Sequence, residues 1–143
     1  MFGIITAIIS GISMTLQGIF NTRLNEKIGI WETTTLIQGI AFACSFLIAF
    51  FFGSGNYHNI KDTNKIYLIS GALGVVITFT VIKSISLMGA AMGIGIILTA
   101  QLLSAALINA FGLFGSEKIT FSFNNFIGIS LMIIGIIIFQ WKK

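Results

Sequence analysis

Apolar residues fill the chain in five long blocks, roughly Phe2–Phe20, Thr33–Phe52, Ile66–Ile85, Gly89–Phe114 and Phe123–Trp141, with polar breaks between them. A bilayer's hydrocarbon core takes about 20 apolar residues of helix to cross, so each block predicts a transmembrane α-helix, the fourth with residues to spare for tilt. The longest break, Gly53–Lys65, is only a loop, which leaves no room for a soluble domain. The pattern predicts one all-α integral membrane domain over residues 1–143. Five crossings put the termini on opposite sides of the membrane. A second copy, fused or associated, can then insert upside down. The first block has neither a basic segment before Phe2 nor a small-x-small cleavage site, so it is expected to be a retained helix rather than a signal peptide.

Polar residues inside the blocks are not scattered. On a helical wheel Gly3, Thr6, Ser10, Ser13, Gln17 and Asn21 fall within roughly 80° of one another. A polar stripe through a membrane helix must face protein or water, because an unpaired amide in lipid is costly. Close packing against a neighbouring helix explains Thr6, Ser10 and Ser13 well. It explains Gln17 less well, since a long amide makes a poor packing surface. In the second block Trp31, Thr34, Thr35, Gln38 and Ser45 share one side, with Trp31 placed to sit at the membrane interface. Glu32 is the only carboxylate at the mouth of a membrane helix. It suits a helix N-terminus as a capping anion, and a coupling or substrate-binding role is the alternative.

Gly71, Gly74 and Thr78 in the third block mark a packing face. The fourth block carries Gly89, Gly93 and Gly95, a small-xxx-small arrangement, followed by Gln101, Ser104 and Asn109. Gln17, Gln38 and Gln101 would, if they converge, line a polar cavity without fixed charge. The candidate substrate-binding set is therefore Gln17, Asn21, Gln38, Gln101, Ser13, Trp31 and Ser104. The fifth block looks like a packing or dimerising element, anchored by Gln140, Trp141, Lys142 and Lys143. Proline is absent, so any helix bending would use glycine positions or polar insertions.

Composition narrows the classes further. A mean hydropathy of +1.02 with 8% charged residues excludes an ordinary water-soluble domain. The net charge of +4 sits on loop and terminal residues, which suits anionic lipid head groups and not nucleic acid. One membrane face would carry Arg23, Lys27, Lys83, Lys142 and Lys143, the other Lys61, Lys65 and Lys118. That small excess favours a cytoplasmic C-terminus by the positive-inside rule, and it is also the weak bias a protein inserting both ways would need. Cys44 reads as a small buried hydrophobe. His58 lies in a polar loop with Asn56 and Asn59. No spacing suggests a metal site, no nucleophile has a base partner, and no cofactor is expected. Membrane helices without a central Asp or Glu offer no carboxylate proton relay. The chain is not expected to be an enzyme.

The run Ile4-Ile5-Thr6-Ala7-Ile8-Ile9-Ser10-Gly11, continuing to Gln17-Gly18-Ile19-Phe20-Asn21-Thr22-Arg23-Leu24, resembles the YdcZ-like branch of the drug/metabolite transporter superfamily. The resemblance is carried by Gln17, Asn21 and Leu24, then Gly29 and Gln38-Gly39. Further along, Gly89-Ala90-Ala91, Ser116-Glu117-Lys118-Ile119-Thr120 and Gly128-Ile129-Ser130-Leu131-Met132-Ile133-Ile134-Gly135 extend it over essentially the whole chain. It implies a five-helix unit that is half of an inverted-repeat ten-helix transporter, with a substrate path between the halves. The fourth block lacks the proline of many superfamily halves, and the first lacks the glutamate of the related four-helix multidrug exporters. Proton-antiport chemistry is therefore not carried over. The expectation is a secondary transporter of a small polar or weakly charged solute in the bacterial inner membrane, working by alternating access as an antiparallel homodimer. Its partners would be membrane lipid, a second copy and a small-molecule substrate. The alternatives are one subunit of a heteromeric transporter and a non-transporting structural or regulatory membrane protein.

Overall fold

The computed structural model describes residues 1–119 and 122–141, apart from the side chain of Gln140. Thr120 of the family-like run and the terminal anchors Lys142, Lys143 and the Gln140 side chain lie outside the described residues. All regular structure among the described residues is helical: α1 (Phe2–Ile28), α2 (Ile30–Phe52), two 3-10 turns (Tyr57–Asp62 and Lys65–Ile69), α3 (Ser70–Met88), α4 (Ala90–Phe111), a 3-10 turn (Leu113–Gly115) and α5 (Phe123–Gln140). Four of the helices are long and apolar enough to cross a membrane, and α5 is a shorter apolar helix. Rows of large apolar side chains stand exposed, among them Ile4, Ile8, Phe42, Phe46 and Phe50. Such a surface is stable only against lipid or other protein, and the long helices satisfy their own backbone groups as a bilayer demands. The chain is a multi-pass membrane protein.

Two compact units make up the fold, Met1–Ser86 and Leu87–Lys143. In the first, α1 and α2 pack together and are joined by Gly29 alone. The Gly29 N–H closes α1 by donating to the Asn25 carbonyl at 3.0 Å, and its carbonyl accepts from Thr33 N–H at 3.0 Å to open α2. One residue can end one helix and start the next only because its backbone turns sharply, at φ 92° and ψ 160°. That region is essentially restricted to glycine. Gly89, before α4, repeats the conformation at φ 79° and ψ 162°, and its carbonyl accepts from Gly93 N–H.

Helix α3 reaches α1 where α1 is thinnest. A Cβ placed on buried Gly18 would stand 2.9 Å from Ile85 Cδ1 and 3.2 Å from Val81 Cγ1. Ile85 of this contact and Ile82 on the same helix are the buried apolar centre of the unit. The remaining buried side chains of the unit are polar: Asn21, Thr22, Thr33 and Thr34, clustered by sequence on either side of the Gly29 joint.

In the second unit α4 and α5 pack side by side, and a Cβ on Gly95 would meet Ile136 Cγ1 at 3.2 Å. Gly112 ends α4 in the left-handed conformation at φ 63° and ψ 36°, its N–H capping the Asn109 carbonyl. The helix therefore stops at Phe111 and not at Phe114, and its 22 residues leave less length for tilt than the apolar block promised.

Helix α1 departs from its apolar block in the other direction. It runs past Phe20 to Ile28 because the polar turns that follow remain helical. Thr22 Oγ1 donates to the Gly18 carbonyl at 2.8 Å, Arg23 pairs with Glu26 at 3.2 Å, and Lys27 complements the helix C-terminus. Apolarity marks where lipid contact ends, which is not where the backbone pattern ends.

Candidate functional site

Helix α1 places the polar stripe and the packing face on neighbouring sides of one cylinder. The packing face centres on Gly18 and Thr22, about 100–140° around the helix from Gln17. Asn21, 4% exposed, lies between the two. Thr6, Ser10, Ser13 and Gln17 are all exposed, so among the described residues of the first unit nothing covers this part of the stripe.

The stripe's members differ in how their polar atoms are satisfied. Thr6 Oγ1 donates to its own helix, to the Gly3 carbonyl at 2.9 Å and to that of Phe2 at 3.2 Å. Thr15, Thr22 and Thr34 do the same toward the residue four positions earlier. A hydroxyl bonded this way is content in lipid or against a helix. Gln17 has no such recourse, since its carboxamide stands too far from its own backbone. Among the described residues its side chain makes no hydrogen bond, and the same holds for Ser10 and Ser13. Placed in hydrocarbon, two donors and an acceptor of Gln17 would go unpaired.

On α2 the stripe is engaged. The Trp31 indole stacks on Phe79 of α3, with ring centroids 4.8 Å apart and planes at 22°. Half-buried Gln38 donates through Nε2 to Thr78 Oγ1 at 3.4 Å, and Thr78 Oγ1 in turn donates to the Gly74 carbonyl at 2.9 Å. Gly74 makes room for this, since a Cβ there would lie 3.2 Å from Gln38 Nε2. Gln38 and Trp31 thus tie α2 to α3 while Trp31 remains 60% exposed. Helical rise puts Asn21 about 12 Å before the Gly29 joint and Gln38 about 13 Å after it, at similar depth, with Gln17 about 18 Å from the joint.

Glu32 is exposed at the third helical position of α2. Its carboxylate folds back over the joint, so that a Cβ on Gly29 would lie 2.6 Å from Glu32 Oε2. A carboxylate in the first turn complements the helix dipole. Beside it, Thr33 is fully buried and its Oγ1 has no hydrogen-bond partner among the described residues. Gln101 and Ser104 stand exposed on α4 in the second unit and line none of the clefts along its contact with α5. Cys44 is exposed and not buried, because α2 turns that side outward. Sequence alone did not single out Phe79, which becomes relevant only as the partner of Trp31, or Thr33, whose burial follows from the joint. The described residues hold no cluster of three or more His, Cys, Asp or Glu side chains able to bind a metal ion.

A family model described as "Putative inner membrane exporter, YdcZ" matches residues 2–138. No curated protein and no solved structure matches the chain. An exporter family is not an enzyme class, and its membrane agrees with the long apolar helices. The chain belongs to the YdcZ family, a family of inner membrane exporters.

Proposed function

We propose that the protein exports a small polar or weakly charged solute by alternating access, as a homodimer whose two copies are inserted in opposite senses. The observation that carries this reading is the uncovered polar stripe of α1. Within it Gln17 is an unsatisfied carboxamide, and such a group is costly against acyl chains. A second copy would cover the stripe and enclose a path. With α5 as a fifth crossing the number of crossings is odd, so an oppositely inserted copy supplies an inverted half, and inverted halves around a midplane site are a recurrent transporter design.

In this reading Gln17 offers the solute both donors and acceptors, Asn21 lines the inner end of the path, and Ser13 contributes a hydroxyl one turn away. Gln38 and Trp31 hold α2 against α3 and present the remaining faces of their side chains. Glu32 is proposed as a coupling group at the mouth. A carboxamide-lined path without fixed charge favours uncharged or weakly charged solutes, since it supplies no counter-ion for a desolvated ion.

The test is a solute screen on the purified chain in proteoliposomes, followed by Gln17→Ala on whichever solute gives flux. Loss of one hydrogen bond to the solute should weaken apparent affinity about fivefold to tenfold, with the dimer and its thermal stability unchanged. Unchanged affinity in an intact dimer removes Gln17 from the path. Flux that appears only when a second small membrane protein is co-reconstituted replaces the homodimer with a heteromeric pair.

A further inference from the structure

Of three clefts along the contact between α4 and α5, the roomiest and most polar lies toward the C-terminal end of α4. At Gly95 and Ile136 the helices touch. Toward the C-terminal end of α4 they enclose a cleft of about 600 Å³, within the range of small-molecule sites. Three carboxamides, Asn109 of α4 and Asn124 and Asn125 at the start of α5, line the end nearer the helix termini, its mouth, and Ala105, Gly128 and Met132 line it farther along, its floor. None of the three Asn side chains makes a hydrogen bond among the described residues. Among the described residues no charged side chain lines the cleft. A Cβ on Gly128 would find nothing within 4 Å, so the glycine opens directly onto the empty space.

The two ends of the cleft therefore ask for different chemistry. The mouth lies at the helix ends, where a bilayer is polar, and offers donors and acceptors together. The floor runs about 12 Å along α5 from Asn124 to Met132, into purely apolar lining. A docked helix, about 10–12 Å wide, would pair the carboxamides only through its side chains, since its backbone groups are already bonded. A charged head group would lose water and gain no counter-ion.

We propose that this cleft binds a single-chain amphiphile with an uncharged, hydrogen-bonding head, its head among Asn109, Asn124 and Asn125 and its chain over Gly128 toward Met132. Such a ligand enters sideways from the membrane, and every residue lining its site belongs to the second unit.

The probe is a monoacylglycerol with a photoreactive diazirine in its chain, used on the full protein in nanodiscs, with labelled peptides mapped by mass spectrometry. Label should concentrate between residues 102 and 132. Gly128→Leu, which fills the floor, should cut labelling at least tenfold. The pair Asn124→Ala and Asn125→Ala should cut it about fivefold to tenfold, and it keeps the question open to test if the leucine variant folds poorly. Label outside α4 and α5, or label indifferent to both variants, overturns the site. Equal labelling by a photoreactive fatty acid carrying an ionised carboxylate overturns the ligand class. A fall in dimer cross-linking with Gly128→Leu while labelling persists assigns the cleft to a second copy instead. Binding is read without transport, so none of these failures bears on the exporter reading.

Discussion

Replacing Gly29 by alanine should destabilise the protein through the backbone and not through a lost contact. At φ 92° and ψ 160° the residue occupies a region that an L side chain enters at a cost of about 1–3 kcal/mol. The new Cβ also meets Glu32 Oε2 at 2.6 Å, a contact that a flexible side chain can relieve by swinging away. The strain cannot be relieved without moving α1 against α2, because the Gly29 N–H and carbonyl are both committed, to Asn25 and Thr33. Gly39→Ala is the matched control. Gly39 is helical, a Cβ there meets nothing within 4 Å, and alanine should be neutral or stabilise by up to about 1 kcal/mol. SDS titration in mixed micelles, followed by tryptophan fluorescence, measures both, since Trp31 reports the α2–α3 stack. Adding Glu32→Ala to Gly29→Ala separates the two causes. Full rescue by the second substitution, or a Gly29→Ala protein as stable as the parent, would refute the account of the joint.

Two further outcomes are expected. Gly18→Leu should drive α1 away from α3, because its side chain would have to occupy the space now held by Ile85 Cδ1 and Val81 Cγ1, and overpacking of this kind costs about 1–3 kcal/mol; it should lower thermal stability more than Gly11→Leu, where a Cβ meets nothing within 4 Å. In a Cys44→Ala background, Asn56→Cys in the loop after α2 should react with an impermeant thiol reagent from both sides of the membrane, and labelling from one side alone would leave a parallel dimer or a heteromeric pair.

Much of the fold is legible because bilayers impose a crude rule: apolar blocks of sufficient length become helices, and all five did. What stays hidden is where each stops. Gly29, Gly89 and Gly112 end or join helices at positive φ, whereas Gly18, Gly39 and Gly95 sit inside them, and nothing in the residue type separates the two groups. The difference lies in the path the chain must take afterwards. The site is legible to the same degree. Gln17 and Gln38 are alike as carboxamides on polar stripes, but Gln38 finds Thr78 on a helix forty residues away while Gln17 finds no partner among the described residues. Helix rotation and side-chain reach decide that, and neither has a local signature. Asn124 and Asn125 escaped notice because polar residues opening an apolar helix read as an ordinary boundary.

The claim that the α1 stripe lines a solvated path is tested most directly by cysteine scanning of α1 in native membranes, again without Cys44. Ser10, Ser13 and Gln17 are each replaced by cysteine, alongside Ile5, Ile9 and Ile12 on other parts of the helix, and reacted with a small water-soluble thiol reagent. The account predicts reaction at the stripe positions, slowed when a transported solute is present, and little reaction at the isoleucine positions. Stripe cysteines as inert as those replacing the isoleucines would contradict it, and would make the stripe a packing surface.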